Sequence, residues 1–299
     1  MCGIAGLFIK NKALEPQLGE LLTKMTSTLC GRGPDSAGFA IYGSGEDTKT
    51  KLTLAGPSAS YDIKTLVDQL KREVVADAPV SIRYSHAVVT VDDKDVARVE
   101  AWIETNFPEV NIVSAGHRLE IFKEVGYPDD VAKNFGIADM SGTHGITHTR
   151  MATESAVTTS GAHPFSTGAD QCLVHNGSLS NHASLRRTLR GDGIKIKTEN
   201  DSEVAAGYLT RQMRDGQTLG EALKSGLDDL DGFFTFVVGT ETGFGVIRDP
   251  IACKPAVMAE TEDYVAFASE YKSLAGLPGI EKARIWEPKP ATPYFWERN

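Results

Sequence analysis

Cys2 lies in the opening run MCGIAGLFIKN, at the position that becomes the amino terminus if Met1 is removed. A small residue at position 2 is compatible with that removal, which would leave an amine and a thiol on one residue. A free thiol of pKa about 8.5 is only partly ionised at neutral pH, whereas an α-amine at about 7.7–8.0 is a base poised near it. Such a cysteine carries its own general base for nucleophilic attack. The competing reading is a small hydrophobe buried in an apolar strand, the usual fate of a cysteine in such a run.

Downstream residues supply what that nucleophile would need. HTRMAT (His148 to Thr153) ends an apolar strand on Arg150, whose guanidinium fork suits a substrate carboxylate, although an arginine there can equally be a solvated edge charge. VHNGSLSN breaks a strand with Asn176-Gly177. The glycine lets the backbone approach closely and turn its N–H toward a reacting oxygen; the alternative is a hairpin turn, which Asn-Gly favours. In TENDSEVAA, Asp201 is either a helix cap or an acceptor for a substrate ammonium. Two rival pairings fare worse. Cys172 and His175, three apart on a strand, project to opposite faces. His144 and His148 have helical zinc-ligand spacing but sit in a strand-like run with no third ligand, so no metal is expected.

The composition narrows the class. A formal charge of −9 with scattered Lys and Arg gives no footprint for nucleic acid or anionic membrane. No apolar run approaches the ~20 residues of a membrane span, and the start lacks a signal peptide's basic and apolar regions, so a cytoplasmic protein is expected. Cys2, Cys30, Cys172 and Cys253 are widely spaced and read as reduced thiols.

The elements that must position these residues follow from periodicity. CGIAGLFI reads as a buried strand. EPQLGELLTKMTSTL reads as a helix whose Leu18, Leu21, Leu22, Met25 and Leu29 form one stripe. GFAIY resumes a strand, and GSGEDTK reads as the turn of a hairpin into KLTLAG. Residues 57–140 differ from their surroundings: helix, strand, charged helix and strand suggest a small inserted α+β module. Beyond residue 143 come strands HGITHTRMAT and QCLVHNGSL, a helix from NHASLRRTL, and the helix DSEVAAGYLTRQMRDG, with Asp201 or Ser202 as its cap. The last third is a set of strands, with turns at 240–243 and 260–263. Strand blocks alternating with helix pairs predict sheets layered between helices.

In order, MCGIAG, GRGPDSAG, HTRMAT, HPF, VHNGSLSN, ENDSEV and RDPIACKPAV with ASE resemble the motifs of class II glutamine amidotransferases, which are N-terminal nucleophile hydrolases. The resemblance spans roughly residues 2–56 and 141–288. It implies an α+β fold, a four-layer αββα sandwich interrupted by the 57–140 module. It further implies that Cys2 attacks the glutamine side-chain amide, that Asn176 and Gly177 form the oxyanion hole, and that Arg150, assisted by Thr153, clamps the α-carboxylate. Asp201 would accept the α-ammonium, and the GRGPDS loop with Arg32 and Asp35 would lie beside the nucleophile.

Family enzymes usually fuse this domain to one that consumes ammonia, and 299 residues leave no room for it. The chain therefore looks most like the small amidotransferase subunit of glutamate-synthase-related complexes such as N-methylglutamate synthase. In that setting synthase-type partner subunits would complete a hetero-oligomer. The chain itself would hold no cofactor; FMN, and iron–sulfur clusters with it, would belong to a partner. Two alternatives are a non-catalytic assembly or regulatory subunit keeping the fold, and a stand-alone amidohydrolase. Retention of Cys2, Arg150, Asn176, Gly177 and Asp201 argues against the first, and the Arg150–Asp201 pair, suited to an α-amino acid, against the second.

Overall fold

The run Gly3–Ile9 forms a strand buried at every position, as a continuous apolar run covered on both faces must be. The computed structural model describes residues 2–151 and 156–298. Gly3–Ile9 is the central strand of a seven-stranded antiparallel sheet, ordered Arg284–Trp286, Val257–Glu260, Tyr264–Ala268, Gly3–Ile9, His144–Arg150, Ser36–Tyr42 and Leu119–Val125. A second antiparallel sheet is ordered Tyr294–Glu297, Gly243–Arg248, Gly232–Gly239, Gln171–Leu179 and Phe165–Gly168.

Three apolar layers hold these sheets together. Leu18, Leu21, Leu22 and Met25, the stripe of helix Leu18–Ser27, pack with Val131, Ala132 and Phe135 of Pro128–Phe135 onto Leu7, Ile9, Phe39 and Ile41 of the first sheet. The opposite face of that sheet presents Ile4, Phe8, Tyr42 and Ile146 to Cys172, Val174, Val237 and Phe244 of the second. Beyond the second sheet, Leu173, Phe234, Phe236 and Ile247 meet Leu189, Val204, Leu209 and Leu223 from helices His182–Gly191, Asp201–Arg214 and Leu219–Asp229. The succession helix, sheet, sheet, helix is the αββα sandwich of the N-terminal nucleophile hydrolases. Truncating any of these fully buried leucines to alanine would cost about 2–5 kcal/mol.

A third, four-stranded sheet, ordered Val80–Arg83, His86–Asp92, Lys49–Ala55 and Asn111–Gly116, packs on helices Ile63–Glu73 and Val96–Asn106 around its own core of Leu52, Leu66, Val89, Val99 and Ile103. Its limits do not coincide with residues 57 and 140. Lys49–Ala55 belongs to it, while Leu119–Val125 and Pro128–Phe135 belong to the first sheet and its helix layer. Ser36–Tyr42 and Lys49–Ala55 are accordingly no hairpin. The former pairs with Leu119–Val125 and His144–Arg150, the latter with His86–Asp92 and Asn111–Gly116. The turn 43–48 carries the chain between sheets, a change that strand propensity alone cannot signal because it is decided by tertiary pairing. The helix expected from residue 15 begins as a 3-10 turn, Lys12–Gln17, with Pro16 inside it, and becomes α-helical at Leu18. Among the described residues no helix is long and apolar enough to cross a membrane.

Candidate active site

Cys2, Arg150, Asn176, Gly177 and Asp201, from four separate segments, line one cleft of about 730 Å³. Cys2, half-buried, immediately precedes the central strand. Its carbonyl accepts from Arg32 Nε at 3.0 Å and from Asn176 Nδ2 at 3.3 Å. Arg32 Nη1 is paired with Glu270 Oε1 at 2.6 Å, so the 30–33 turn and the segment after Tyr264–Ala268 together fix the backbone that carries the thiol. Arg32 and Asp35 are not among the lining residues. Asp35 contributes backbone bonds instead, its N–H donating to Arg150 O at 3.0 Å.

Arg150 ends the His144–Arg150 strand and is 7% exposed. Its Nη1 donates to Gly161 O at 3.2 Å, and Arg150 lines the cleft with Met151. Thr153 lies outside the described residues.

Asn176 and Gly177 sit inside strand Gln171–Leu179, paired with Thr235 and Phe234 of the neighbouring strand, not in a hairpin turn. Gly177 has φ +154°, and a Cβ there would lie 2.0 Å from Phe233 O and 2.7 Å from His175 Nε2. Only glycine fits without moving a strand. An amide N–H₂ and a close-approach backbone N–H at adjacent positions form the kind of donor pair that stabilises an oxyanion.

Asp201 opens helix Asp201–Arg214, but the cap is Asn200, whose side chain accepts from Ser202 N at 2.9 Å. The expected capping by Asp201 or Ser202 is corrected by one residue. Asp201 instead lines the cleft, its carboxylate Oδ2 accepting from Leu179 N at 2.8 Å. Glu203 accepts from the N–H groups of Lys197 (2.9 Å) and Thr198 (2.6 Å), fixing the turn that carries Thr198, Glu199 and Asn200 along the cleft wall.

Residues that the sequence reading did not place here complete the wall. His163 and His175 line the cleft, and His148 lies behind it, stacked on His163 at 4.0 Å and bonded through Nε2 to His175 O at 3.2 Å. Burial pushes His148 down to about 3 and His175 to about 4, and His163 well below its usual value, so all three imidazoles are neutral near pH 7. Lys123, on the edge strand of the first sheet, is buried. Its Nζ donates to Ala162 O (2.7 Å), Pro164 O (3.2 Å) and Ser160 O (3.4 Å), and burial lowers its pKa to about 8. The next residue, Glu124, accepts from Thr159 Oγ1 and from Ser85 Oγ at 2.9 Å. The wall 158–164 is thus pinned by Lys123, Glu124 and Arg150. A charged pair on a strand three residues short of a turn gives no signal of this in the sequence.

The rival pairings separate in space. Cys172 faces the other sheet, 3.3 Å from Tyr42 Oη, and burial pushes its thiol up to about 12. His175 faces the helix layer through Ser202. His144 and His148 bond different carbonyls, Thr240 O and His175 O. Away from the cleft, His117, Asp170 and Glu241 bring potential ligand atoms within 4.8 Å of one another. Asp170 is already occupied by the N–H groups of His117, Arg118 and Leu119 at 2.6–2.9 Å, and Arg118 Nε lies 3.4 Å from Glu241, so the cluster is a structural clasp.

Comparison with known proteins places the chain among glutamine amidotransferases. Residues 148–276 match a family model described as a glutamine amidotransferase domain. The chain is 60% identical, over all of its length and 99% of the other's, to the glutamine amidotransferase-like protein GlxB of Rhizobium meliloti strain 1021. It is 34% identical to a putative glutamine amidotransferase of Methanothermobacter thermautotrophicus, covering 92% of this chain and 93% of that one. In three dimensions it resembles the glutamine phosphoribosylpyrophosphate amidotransferase of B. subtilis, with TM-score 0.58 at 19% identity. That match covers 99% of this chain but only 49% of the solved one, and it supports the fold. Relatives of this kind, similar over nearly the whole of both chains, lead to one assignment: the chain belongs to the glutamine amidotransferase family.

Proposed function

We propose that the chain is a glutaminase subunit that converts L-glutamine to L-glutamate and ammonia through Cys2. The observation that carries the reading is the convergence of Cys2, Arg150, Asn176, Gly177 and Asp201, from four separate segments, on one cleft. With Met1 removed, the Cys2 α-amine takes the thiol proton as sulfur attacks the side-chain amide carbon, and it returns that proton to the departing nitrogen. Ammonia leaves, a thioester remains, and water cleaves it to glutamate and the thiol. Asn176 Nδ2 has two hydrogens, so one can hold Cys2 O while the other, with Gly177 N–H, meets the oxyanion. Arg150 binds the α-carboxylate with Thr153, and Asp201 the α-ammonium. Arg32 and Asp35 act from beside the nucleophile, Arg32 through its bond to Cys2 O.

The acceptor of ammonia is assigned to a partner, a reading supported by the motif resemblance to small amidotransferase subunits. The synthase-type partner proposed is that of glutamate-synthase-related complexes, N-methylglutamate synthase being the nearest case by the motif resemblance. FMN and iron–sulfur clusters are placed on that partner, and the complex in the cytoplasm, in keeping with four unpaired thiols. The small sheet is the proposed inserted module, with limits close to residues 49 and 116.

Glutamine-dependent glutamate release tests the reading. It is expected in the wild-type chain with its partners and lost in Cys2→Ala. Undiminished release from Cys2→Ala would overturn the mechanism. Intact mass should show loss of Met1.

A further inference from the structure

Asp201 Oδ1 lies 3.3 Å from Ser202 Oγ, and the same hydroxyl lies 2.9 Å from His175 Nδ1. Between Asp201 Oδ1 and His175 Nδ1 the gap is 3.8 Å, too long for a direct hydrogen bond. Ser202 Oγ has one hydrogen to give. A carboxylate can only accept, whereas an imidazole nitrogen can donate or accept, so the arrangement that satisfies both contacts sends the hydrogen to Asp201. The serine oxygen is then left to accept from His175, which must carry its proton on Nδ1. His175 Nε2 is therefore the bare nitrogen, and it is buried with no partner among the described residues. The ring is neutral, and an edge contact to Phe236 at 4.9 Å and 71° fixes its plane. The other carboxylate oxygen, Oδ2, is held by Leu179 N at 2.8 Å.

We propose that Ser202 and His175 are positioning residues for Asp201. The relay from His175 Nδ1–H to Ser202 Oγ–H to Asp201 Oδ1 holds the carboxylate at the angle at which it receives the substrate ammonium. This inference rests on the glutamine reading of the cleft. It also explains why a histidine precedes Asn176. Its ring occupies the space a side chain at residue 177 would need, so the oxyanion donors and the ammonium acceptor are set by one side chain.

Ser202→Ala removes the relay but leaves Leu179 N on Oδ2. The KM for glutamine is expected to rise about tenfold, with kcat changed by less than about threefold, since the reacting atoms are untouched. Ser202→Thr keeps the hydroxyl and is expected to restore KM. Asp201→Asn is the reference variant. If it leaves KM unchanged, the reading of the cleft fails. If it raises KM while Ser202→Ala stays at the wild-type value, only the relay fails. Because Ser202 is buried, nitrogen NMR of the wild-type protein provides a readout that needs no variant. His175 as the Nδ1–H tautomer supports the relay; the Nε2–H tautomer overturns it.

Discussion

Replacing Lys123 with methionine should erase a specific alkaline rise in stability. The buried ammonium has its pKa lowered from 10.5 to about 8, with burial the largest cause and Glu203 pulling the other way. In the unfolded chain the same lysine titrates near 10.5. Between pH 8 and 10.5 the unfolded state therefore holds a proton that the folded state has released, and stability rises with pH. At about 1.36 kcal/mol per unit, the gap of roughly 2.5 units is worth about 3 kcal/mol, present above 10.5 and lost as pH falls through 8. Cys172, Tyr42 and Tyr208 have raised pKa values, through burial first, and work in the opposite direction from about pH 9 upward; they are shared by both proteins, so the comparison with Lys123→Met over pH 7.5 to 9.5 cancels them. Urea unfolding across that window should show the wild-type protein gaining up to about 2 kcal/mol relative to Lys123→Met. The three carbonyl bonds from Nζ survive in part in the neutral amine, which keeps two donors, so the native wall is expected to persist through the titration. Parallel stability curves for the two proteins would refute the reasoning, because they would mean that Lys123 titrates alike folded and unfolded.

Three further predictions concern the cleft. Gly177→Ala drives a Cβ toward Phe233 O and should lower kcat by about a hundredfold or more, the usual consequence of misplacing an oxyanion donor, together with a fall in Tm; steady-state kinetics and a melting curve check both. Arg150→Lys keeps the charge but not the fork, and should raise the KM for glutamine by about tenfold to a hundredfold; an unchanged KM would remove Arg150 from carboxylate binding. Cys172→Ala should leave glutamate release intact, since burial holds that thiol protonated and it faces away from the cleft; loss of release with an unaltered melting curve would reopen Cys172 as the nucleophile.

The sandwich was legible because its strands are apolar on both faces, as in Gly3–Ile9 and Ser36–Tyr42, each buried throughout. Cys2, Arg150, Asn176, Gly177 and Asp201 were legible as residue types suited to an α-amino acid amide, and the fold gathers all five at one cleft. Sheet membership was not legible. Lys49–Ala55 and Leu119–Val125 read as ordinary strands, and only long-range pairing decides that the first joins the small sheet and the second the large one. Nor was the support around the site. Lys123 serves carbonyls about 40 residues away, and Ser202 gains its meaning from His175, 27 residues earlier in the chain. Such contacts leave no periodic trace.

The central claim is that Cys2, freed of Met1, is the nucleophile. Incubation with an electrophilic glutamine analogue, followed by intact and peptide mass measurement, tests it most directly. One label per chain on an amino-terminal Cys2, blocked by excess glutamine and abolished in Cys2→Ala, is the predicted result. A label on Cys30, Cys172 or Cys253, or full activity in a chain that retains Met1, would contradict the account.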